Sequence, residues 1–284
     1  MGDITAAHFI GGMIGQAMLR SWYEDPQGNA DRMQELADVV ARAGEFPYSM
    51  VLNPAERDLL TGYAEWSESY DGPNPLIELE EGVVRPILEG RAGHGVRALD
   101  AACGTGRHAA LLSGLGCATT GIDQSDPMLS VARAKAPLAR FVTGDVRSMP
   151  FDTGEFDLGV ISLALCHLAD PTDAVIELGR VLAPGATLVI ADPHPLGATI
   201  GGQAIYGGIA PGRDVTFVRN HHHSASTWLR AFRQAGLDVD DCLEVPFGEK
   251  QIATHVVAPL YPDAVRASMV GMHSLWVWTL RKRP

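Results

Sequence analysis

The chain has 284 residues, of which 46% are hydrophobic and 20% are charged, a balance typical of folded globular proteins and not of disordered ones. Its 22 Lys and Arg residues against 34 Asp and Glu residues give a formal net charge of −12, which disfavours nucleic acid and anionic membranes as partners. The four scattered cysteines, and the lack of a signal-peptide pattern or a long apolar run, predict a reduced, cytoplasmic protein.

Residues 1–92 are predicted to form a helical cap. Apolar residues recur at helical spacing around 4–22, 30–43, 54–66 and 75–89. In the second of these segments, four residues are expected on one face: Met33, Leu36, Ala37 and Val40. Asn53-Pro54 and Asn74-Pro75 are typical of helix starts, since a capping side chain is followed by a proline at the first helical position.

Residues 93–284 are predicted to form a second domain with a parallel sheet. Short apolar strands alternate with helices of 10–12 residues, which indicates βαβ units with helices on both faces of the sheet. The strands are expected at 96–100, 118–123, 139–143, 156–162, 187–192, 237–245 and 272–280. Two insertions, a glycine-rich one at 195–220 and another at 247–270, are expected to shape the substrate pocket.

The segment Asp100-Ala-Ala-Cys-Gly-Thr-Gly106 follows the first strand of this domain. Ligands of open parallel sheets bind at the carboxyl ends of strands, and glycines there let a ligand approach the backbone closely. The segment from Gly104 to Ala109 also matches the dinucleotide fingerprint, with Asp123 19 residues after Gly104. Asp100 argues against a dinucleotide, because its carboxylate would repel a pyrophosphate and would suit a ligand with an ammonium group.

Acidic residues follow the first three strands of the predicted sheet. Asp123 closes the second strand, where its two oxygens could accept both hydroxyls of a ribose. Asp145 follows the third strand and could accept from an adenine amino group. Together with Asp100, these positions suit a nucleoside that carries an amino-acid end, such as S-adenosylmethionine.

The ordered motifs of this region resemble those of the class I S-adenosylmethionine-dependent methyltransferases, in particular the small-molecule group with ubiquinone-type and natural-product enzymes. They are the 100–106 segment, Asp123, Gly144-Asp145, Phe156-Asp157 and the turn at 180–186. The resemblance implies a Rossmann-like, doubly wound α/β sheet of seven mostly parallel strands in the order 3-2-1-4-5-7-6, with an N-terminal helical cap. Ala102 departs from the pattern, since it stands where the family often has a glycine.

The resemblance also implies a set of cofactor-binding residues. Asp100, Ala102 and the loop after it would line the methionine end, Asp123 with its neighbours the ribose, Asp145 and Val146 the adenine, and Ser162 the reacting centre. Tyr70 resembles an aromatic residue that such enzymes place over the cofactor carboxylate. The full set is Tyr70, Asp100, Ala102, Cys103, Gly104, Gly106, Asp123, Gln124, Met128, Asp145, Val146 and Ser162.

Histidines are the candidates for a general base, because imidazole titrates near neutral pH. His167 follows the fourth strand and His194 follows the fifth. One of His221–His223, for which we name His222, is the third candidate. No metal site is expected there, since adjacent residues of an extended segment point to opposite faces.

The sequence thus predicts S-adenosylmethionine-dependent methyl transfer to a small organic acceptor, in secondary metabolism, and leaves a homodimer open. Two alternatives stay open. One is an NAD(P)-dependent oxidoreductase; the other is a methyltransferase-fold cyclase or binding protein that transfers no methyl group.

Overall fold

The structure is a computed structural model that describes residues 3–207, 215–253 and 255–284. The described helices run in the order α1 Ala6–Arg20, α2 Pro26–Ala41, α3 Leu59–Trp66, α4 Pro75–Glu89, α5 Arg107–Gly114, α6 Asp126–Lys135, α7 Thr172–Val181, α8 Pro195–Thr199, α9 Ala225–Ala235, α10 Glu249–Ile252 and α11 Pro262–Met269. A short 3-10 helix occupies Leu165–His167. Neither α1 nor any other helix in these described ranges has the length and apolar character that crossing a bilayer requires.

The strands form two sheets. In chain order they are β1 Pro54–Arg57, β2 Arg97–Ala101, β3 Ala118–Asp123, β4 Arg140–Thr143, β5 Phe156–Ser162, β6 Leu182–Pro193, β7 Ala204–Tyr206, β8 Val215–Val218, β9 Leu237–Pro246 and β10 His273–Lys282. The large sheet has seven strands in the order β4-β3-β2-β5-β6-β10-β9, and the small sheet has the order β1-β8-β7.

The large sheet confirms the predicted Rossmann-like topology. Counted within this sheet, its strand order reads 3-2-1-4-5-7-6. β2 pairs in parallel with both β3 and β5, and β10 runs antiparallel to β6. β2 and β5 are buried along nearly their whole length, as expected for strands with helices on both faces of the sheet. The strand order reverses between β2 and β5, which is where a doubly wound fold opens a ligand crevice.

Two compact units divide the chain. The first unit combines 1–56, 205–217 and 246–273, and the second combines 57–204, 218–245 and 274–284. The first unit has its own apolar core, in which Ile14, Tyr48, Val215 and Val265 come from three separate chain segments. The second unit contains the large sheet and two apolar clusters on it. The predicted helical cap of residues 1–92 and the second domain of 93–284 follow a different division and stay a prediction.

The predicted helix at 54–66 is wrong in its first turn. Pro54–Arg57 is a strand that pairs with β8, and the helix begins only at Leu59. Asp58 caps it by accepting a hydrogen bond from the backbone N–H of Thr61. Pairing with a strand far along the chain therefore overrides the local helix-start signal of Asn53-Pro54.

The glycine-rich insertion at 195–220 carries secondary structure that the sequence did not predict. It contains the short helix α8 and the strands β7 and β8. Its residues 208–214 lie outside the described residues. By contrast, the predicted start at Asn74-Pro75 is confirmed, because the Asn74 side chain accepts from the N–H groups of Leu76 and Ile77.

Candidate active site

A cleft lies at the carboxyl ends of four strands of the second unit. Its empty volume is about 670 Å³. Each of β2, β3, β4 and β5 is followed by residues that line it, and α3 and the following segment supply more. The lining residues are Leu59, Leu60, Tyr63, Tyr70, Ala102, Gly104, Asp123, Gln124, Ser125, Gly144, Val146, Ser162, Leu163, Ala164, His167 and Leu168.

Asp100 lies in β2, and its carboxylate binds the first turn of helix α5. Its carboxylate is 2% exposed and accepts a hydrogen bond of 2.8 Å from the backbone N–H of Ala109. Burial raises its pKa to about 6, although His108, this hydrogen bond and Arg107 act in the opposite direction. Because a fixed carboxylate already holds one of the free N–H groups of the helix, a pyrophosphate would meet repulsion there.

Asp123 faces the cleft from the end of β3. One oxygen accepts from the N–H of Gly104 and the other from the N–H of Ser125, both at 2.8 Å. Burial raises the pKa of Asp123, and these backbone hydrogen bonds oppose the shift. Each carboxylate oxygen keeps a lone pair that can accept from a ligand hydroxyl.

The loop after β2 exposes its backbone to the cleft. Gly104 has φ +51°, and a Cβ built on it would meet no atom within 4 Å. Ala102 has φ 51°, and Leu163, on the other side of the cleft, has φ 54°. Left-handed conformations of residues other than glycine are strained and are found preferentially at functional sites. Ala102 thus adopts a left-handed conformation that a glycine would reach without strain.

Four predicted cofactor residues are buried and do not line the cleft: Asp100, Cys103, Gly106 and Met128. Cys103 is buried, and its Sγ lies against Gly121, where an added Cβ would be 3.0 Å away. Gly106 packs on α6, and Met128 is 1% exposed. These residues shape the loop from the inside, so a direct contact with a cofactor stays a prediction.

The remaining predicted cofactor residues differ in whether they line the cleft. Tyr70, Gln124, Val146 and Ser162 line the cleft beside Asp123. Asp145 does not line it, because Arg147 binds its carboxylate at 2.6 Å and this hydrogen bond lowers its pKa.

The Tyr70 segment is anchored to the glycine loop by its neighbour Asp71. The carboxylate of Asp71 accepts from Thr105 Oγ1 at 2.8 Å and from Lys135 Nζ at 2.6 Å. Lys135 Nζ also lies 2.9 Å from Thr105 Oγ1, which closes the triangle. This triangle holds Tyr70 at the cleft, and its predicted place over a cofactor carboxylate stays a prediction.

Glu80 of α4 does not line the cleft but binds the cleft residue Ser162, and the sequence analysis did not predict this role. Its side chain is fully buried, accepts from Ser162 Oγ at 2.7 Å and from His108 at 2.9 Å, and pairs with Arg107. Burial alone would raise its pKa, but the hydrogen bond and charge of His108 and the charge of Arg107 lower it to about 2. Glu80 shares a buried helix face with Val84 and Leu88, so a lone acid on an apolar face was the available signal.

The three candidate histidines occupy different surroundings. His167 lines the cleft, where its Nε2 lies 2.7 Å from the Tyr63 hydroxyl and its Nδ1 lies 2.8 Å from the Arg219 carbonyl oxygen. His194 caps α8 by accepting from the N–H of Leu196, and does not line the cleft. His222 is exposed and does not line the cleft either.

Tyr63 lines the cleft, and the sequence analysis did not predict it as a site residue. It lies on α3, three residues before Trp66 and seven before Tyr70, and the three rings lie 5.0–5.9 Å apart. This helical spacing of aromatic residues was visible in the sequence, but the contact with His167 depends on the tertiary structure.

Comparisons with known proteins agree with this geometry. The sequence profile of the methyltransferase domain matches residues 99–190. A demethylmenaquinone methyltransferase of Clavibacter sepedonicus is 34% identical over 144 residues, which are 47% of this chain and 59% of that protein. One of Thermus thermophilus is 41% identical over 110 residues, which are 36% of this chain and 50% of that protein. The chain thus spans between half and three fifths of the length of these relatives.

The fold has a counterpart among solved structures. An S-adenosylmethionine-dependent methyltransferase of Mesorhizobium loti covers 75% of this chain and 99% of its own, with a TM-score of 0.55 and 22% identity. The matching profile spans β2 to β6, the strands that build the cleft. Residues 99–190 are therefore similar in sequence to the methyltransferase domain, and the fold that contains them is similar to that of an S-adenosylmethionine-dependent methyltransferase.

Proposed function

We propose that this domain binds S-adenosylmethionine in the cleft and transfers its methyl group to a small organic acceptor. The observation that carries the proposal is the distribution of acids at the carboxyl ends of the strands. Asp100 already holds the N-terminus of α5, and Asp123 offers lone pairs to the cleft. This arrangement repels a pyrophosphate and accepts hydroxyls, which favours a nucleoside over an NAD(P) dinucleotide.

The described residues fit such a cofactor. Asp123 would accept the ribose hydroxyls, and Gly144 and Val146 would contact the adenine. The open space beside Gly104 suits the amino-acid end of the cofactor, whereas Asp100, which precedes this loop in β2, is buried and does not line the cleft. When bound, S-adenosylmethionine supplies a methyl group on a positively charged sulfur, so the chain itself needs mainly to align the acceptor and exclude water.

The acceptor side of the cleft supports a partly apolar small molecule. Leu59, Leu60 and Leu168 line the cleft together with Leu163 and Ala164. The two relatives named above are demethylmenaquinone methyltransferases, so demethylmenaquinone, in its oxidised and reduced forms, is the first acceptor to assay. A natural-product acceptor of secondary metabolism is the wider class that we propose.

Of the three candidate bases we propose His167. It lines the cleft, and burial lowers its pKa, which keeps the imidazole neutral and able to take a proton at pH 7. His194 serves as a helix cap and His222 is exposed, so both would act only after a rearrangement.

Calorimetric titration with S-adenosylmethionine tests the proposal. We expect Asp123→Asn to weaken binding at least about tenfold, because a ribose hydroxyl that loses a charged acceptor loses about 1.5–3 kcal/mol. Asp126→Asn is the matched control: this exposed acid of α6 accepts from Thr143 and does not line the cleft, so binding should change less than about twofold.

Three results would count against the assignment. They are equal losses in the two variants, no loss in Asp123→Asn when its circular dichroism is that of the wild type, and tighter binding of NADH than of S-adenosylmethionine. A chain that binds S-adenosylmethionine but yields no S-adenosylhomocysteine with any acceptor would be the binding or cyclase protein instead.

A further inference from the structure

Tyr63 and His167 form a hydrogen-bonded pair in the wall of the cleft. The Tyr63 hydroxyl lies 2.7 Å from His167 Nε2, and the rings meet edge to face at 5.4 Å. On its other side, His167 Nδ1 lies 2.8 Å from the carbonyl oxygen of Arg219. Both side chains line the cleft, so the pair is open to a bound ligand.

The partners determine where the protons lie. A carbonyl oxygen can only accept, so His167 Nδ1 must carry the hydrogen that it donates to Arg219. In a neutral imidazole the other nitrogen is then a bare acceptor, and the Tyr63 hydroxyl donates to it. Burial lowers the pKa of His167 and raises that of Tyr63, so both groups are neutral at pH 7.

Of the two side chains in this pair, only Tyr63 can still form a hydrogen bond with a ligand, and it can only accept one. The single hydrogen of the Tyr63 hydroxyl is used on His167, and both His167 nitrogens are used. What remains is a lone pair on the Tyr63 oxygen. The pair therefore forms an acceptor site for a hydrogen-bond donor of the ligand.

The surroundings define the ligand further. Leu59, Leu60, Leu163, Ala164 and Leu168 line the same cleft, and Asp123 is the one acid among the described residues that line it. Once Asp123 holds a ribose, no other acid among the described residues that line the cleft is left to pair with a cationic group. An uncharged, mostly apolar molecule with a hydroxyl group satisfies both the leucines and the Tyr63 oxygen.

We propose that the acceptor is an apolar, hydroxyl-bearing molecule, such as a phenol or an enol, and that Tyr63 and His167 form a relay that takes its hydroxyl proton. This inference rests on the proposed function and names its acceptor class. Tyr63 is the catalytic residue that touches the acceptor. His167 is a positioning residue that receives the proton through Tyr63.

The relay moves one proton per methyl group. The acceptor hydroxyl gives its proton to the Tyr63 oxygen while Tyr63 gives its own proton to His167 Nε2, and the Arg219 carbonyl stabilises the imidazolium through Nδ1–H. The O–H electron pair stays on the acceptor, which forms the new bond to the methyl carbon as the methyl–sulfur pair returns to sulfur. If the bond forms at a conjugated carbon, that carbon loses its hydrogen as a proton and the oxygen regains one. His167 then releases one proton to solvent.

The binding affinities of two small molecules test this acceptor site without any catalytic turnover. 2-Naphthol carries the hydroxyl, and 2-methoxynaphthalene has the same rings without a donor. We expect wild-type protein to bind 2-naphthol at least about fivefold more tightly, and this preference to fall below about twofold in Tyr63→Phe and in His167→Asn. Tyr23→Phe is the control, since Tyr23 is 91% exposed, and it should keep the full preference.

A second readout tests the proton positions directly. Long-range ¹H–¹⁵N spectra should show His167 as the neutral tautomer with hydrogen on Nδ1 at pH 7. Equal binding of the two probes to the wild type, an unchanged preference in Tyr63→Phe, or hydrogen on Nε2 would each overturn the relay. S-adenosylmethionine should bind both variants as it binds the wild type, so its failure to bind the wild type would refute the proposed function and leave the probe result independent.

With an acceptor that turns over, general base catalysis adds a third readout. We expect Tyr63→Phe and His167→Asn each to lower kcat about 100-fold or more, with the KM for S-adenosylmethionine unchanged. An equal rise of both KM values at constant kcat would show a purely structural role and would also overturn the relay.

Discussion

Asp192 is a buried carboxyl at the end of β6 that the proposed function does not use. It is 4% exposed, and neither of its oxygens accepts a hydrogen bond within the described part of the chain. Burial raises its pKa to about 7, although the nearby backbone N–H groups of 164–166 and the Cys166 thiol oppose this shift. Asp192 therefore holds a proton in the folded state at pH values where an unfolded chain has lost it.

This makes the free energy of unfolding depend on pH in a definite direction. A carboxyl whose pKa is raised on folding destabilises the fold progressively as pH rises from about 4 to about 7. Between pH 4 and pH 8, we expect the free energy of unfolding of Asp192→Asn to rise by about 2–4 kcal/mol relative to that of the wild type. Each pKa unit corresponds to about 1.4 kcal/mol. Urea titrations at the two pH values measure this difference, and the constant cost of the new amide cancels in it.

Asp157→Asn is the control of opposite sign. The hydrogen bond from Arg97 lowers the pKa of Asp157, so its contribution to stability is present above the unfolded pKa and is lost as pH falls. The free energy of unfolding of this variant should therefore fall relative to that of the wild type as pH rises. A parallel trend in both variants would show that Asp192 has no special role.

The histidines show where reasoning from single residues ends. In the sequence His167, His194 and His222 are all candidates, His167 being the best placed, at the ends of strands or in the loop before a helix. The hydrogen bonds of His167 to Tyr63 and to the Arg219 carbonyl connect residues 104 and 52 positions apart in the chain. No local pattern carries that information, because chemical role depends on partners that only the fold brings together.

At the scale of elements, the loop between β2 and α5 uses two glycines for different reasons. Both have positive φ, +51° at Gly104 and +78° at Gly106. A Cβ on Gly104 would meet open space, but one on Gly106 would lie 2.9 Å from the Cβ of Ala132 on α6. Gly104 thus keeps the cleft open, and Gly106 permits two helices to approach.

Alanine substitutions should separate these two roles. Gly106→Ala should cost about 1–3 kcal/mol of unfolding free energy from overpacking, in addition to the strain of its φ. Gly104→Ala should cost about 1 kcal/mol from strain alone but weaken S-adenosylmethionine binding. Denaturant midpoints and calorimetry on both proteins check this, and equal losses of stability would refute the packing argument.

The helices of the first ninety residues were predicted better in type than in detail. α2 is a helix, yet Met33 and Val40 of its predicted apolar face are exposed, and Arg32 and Val39 are buried instead. The four predicted residues do lie on one face of the helix, but the long-range contacts of the first unit decide which face is buried. The buried Arg32 pairs with Asp25 and Ser21, a combination that hydrophobic periodicity cannot reveal.

At the scale of the whole molecule, the first unit is assembled from separate parts of the chain. Its core combines α1 and α2 with apolar residues of 215–217 and 246–273, such as Val215, Ile252 and Val265. A boundary drawn once along the sequence therefore cannot isolate this unit.

Removal of residues 1–56 tests this assembly. The truncated chain should aggregate or lose cooperative melting, because the apolar residues that remain from 215–217 and 246–273 lose the side chains they pack on. Size-exclusion chromatography and thermal melting of the truncated and full-length proteins measure the effect. A monomeric, cooperatively melting 57–284 protein would contradict a shared core.

The amino-acid sequence alone was sufficient for the large sheet and for the acids at its carboxyl edge. Hydrophobic periodicity and glycine placement are local properties, and they define the strands, the helices and the loop of Asp100 to Gly106 without knowledge of distant residues. The tertiary structure alone decided that Asp58 and not Asn53 starts α3, that Glu80 joins Arg107 and His108, and that Tyr63 meets His167. These contacts join residues far apart in the chain, and their energies depend on burial and exact distance, which no local pattern encodes.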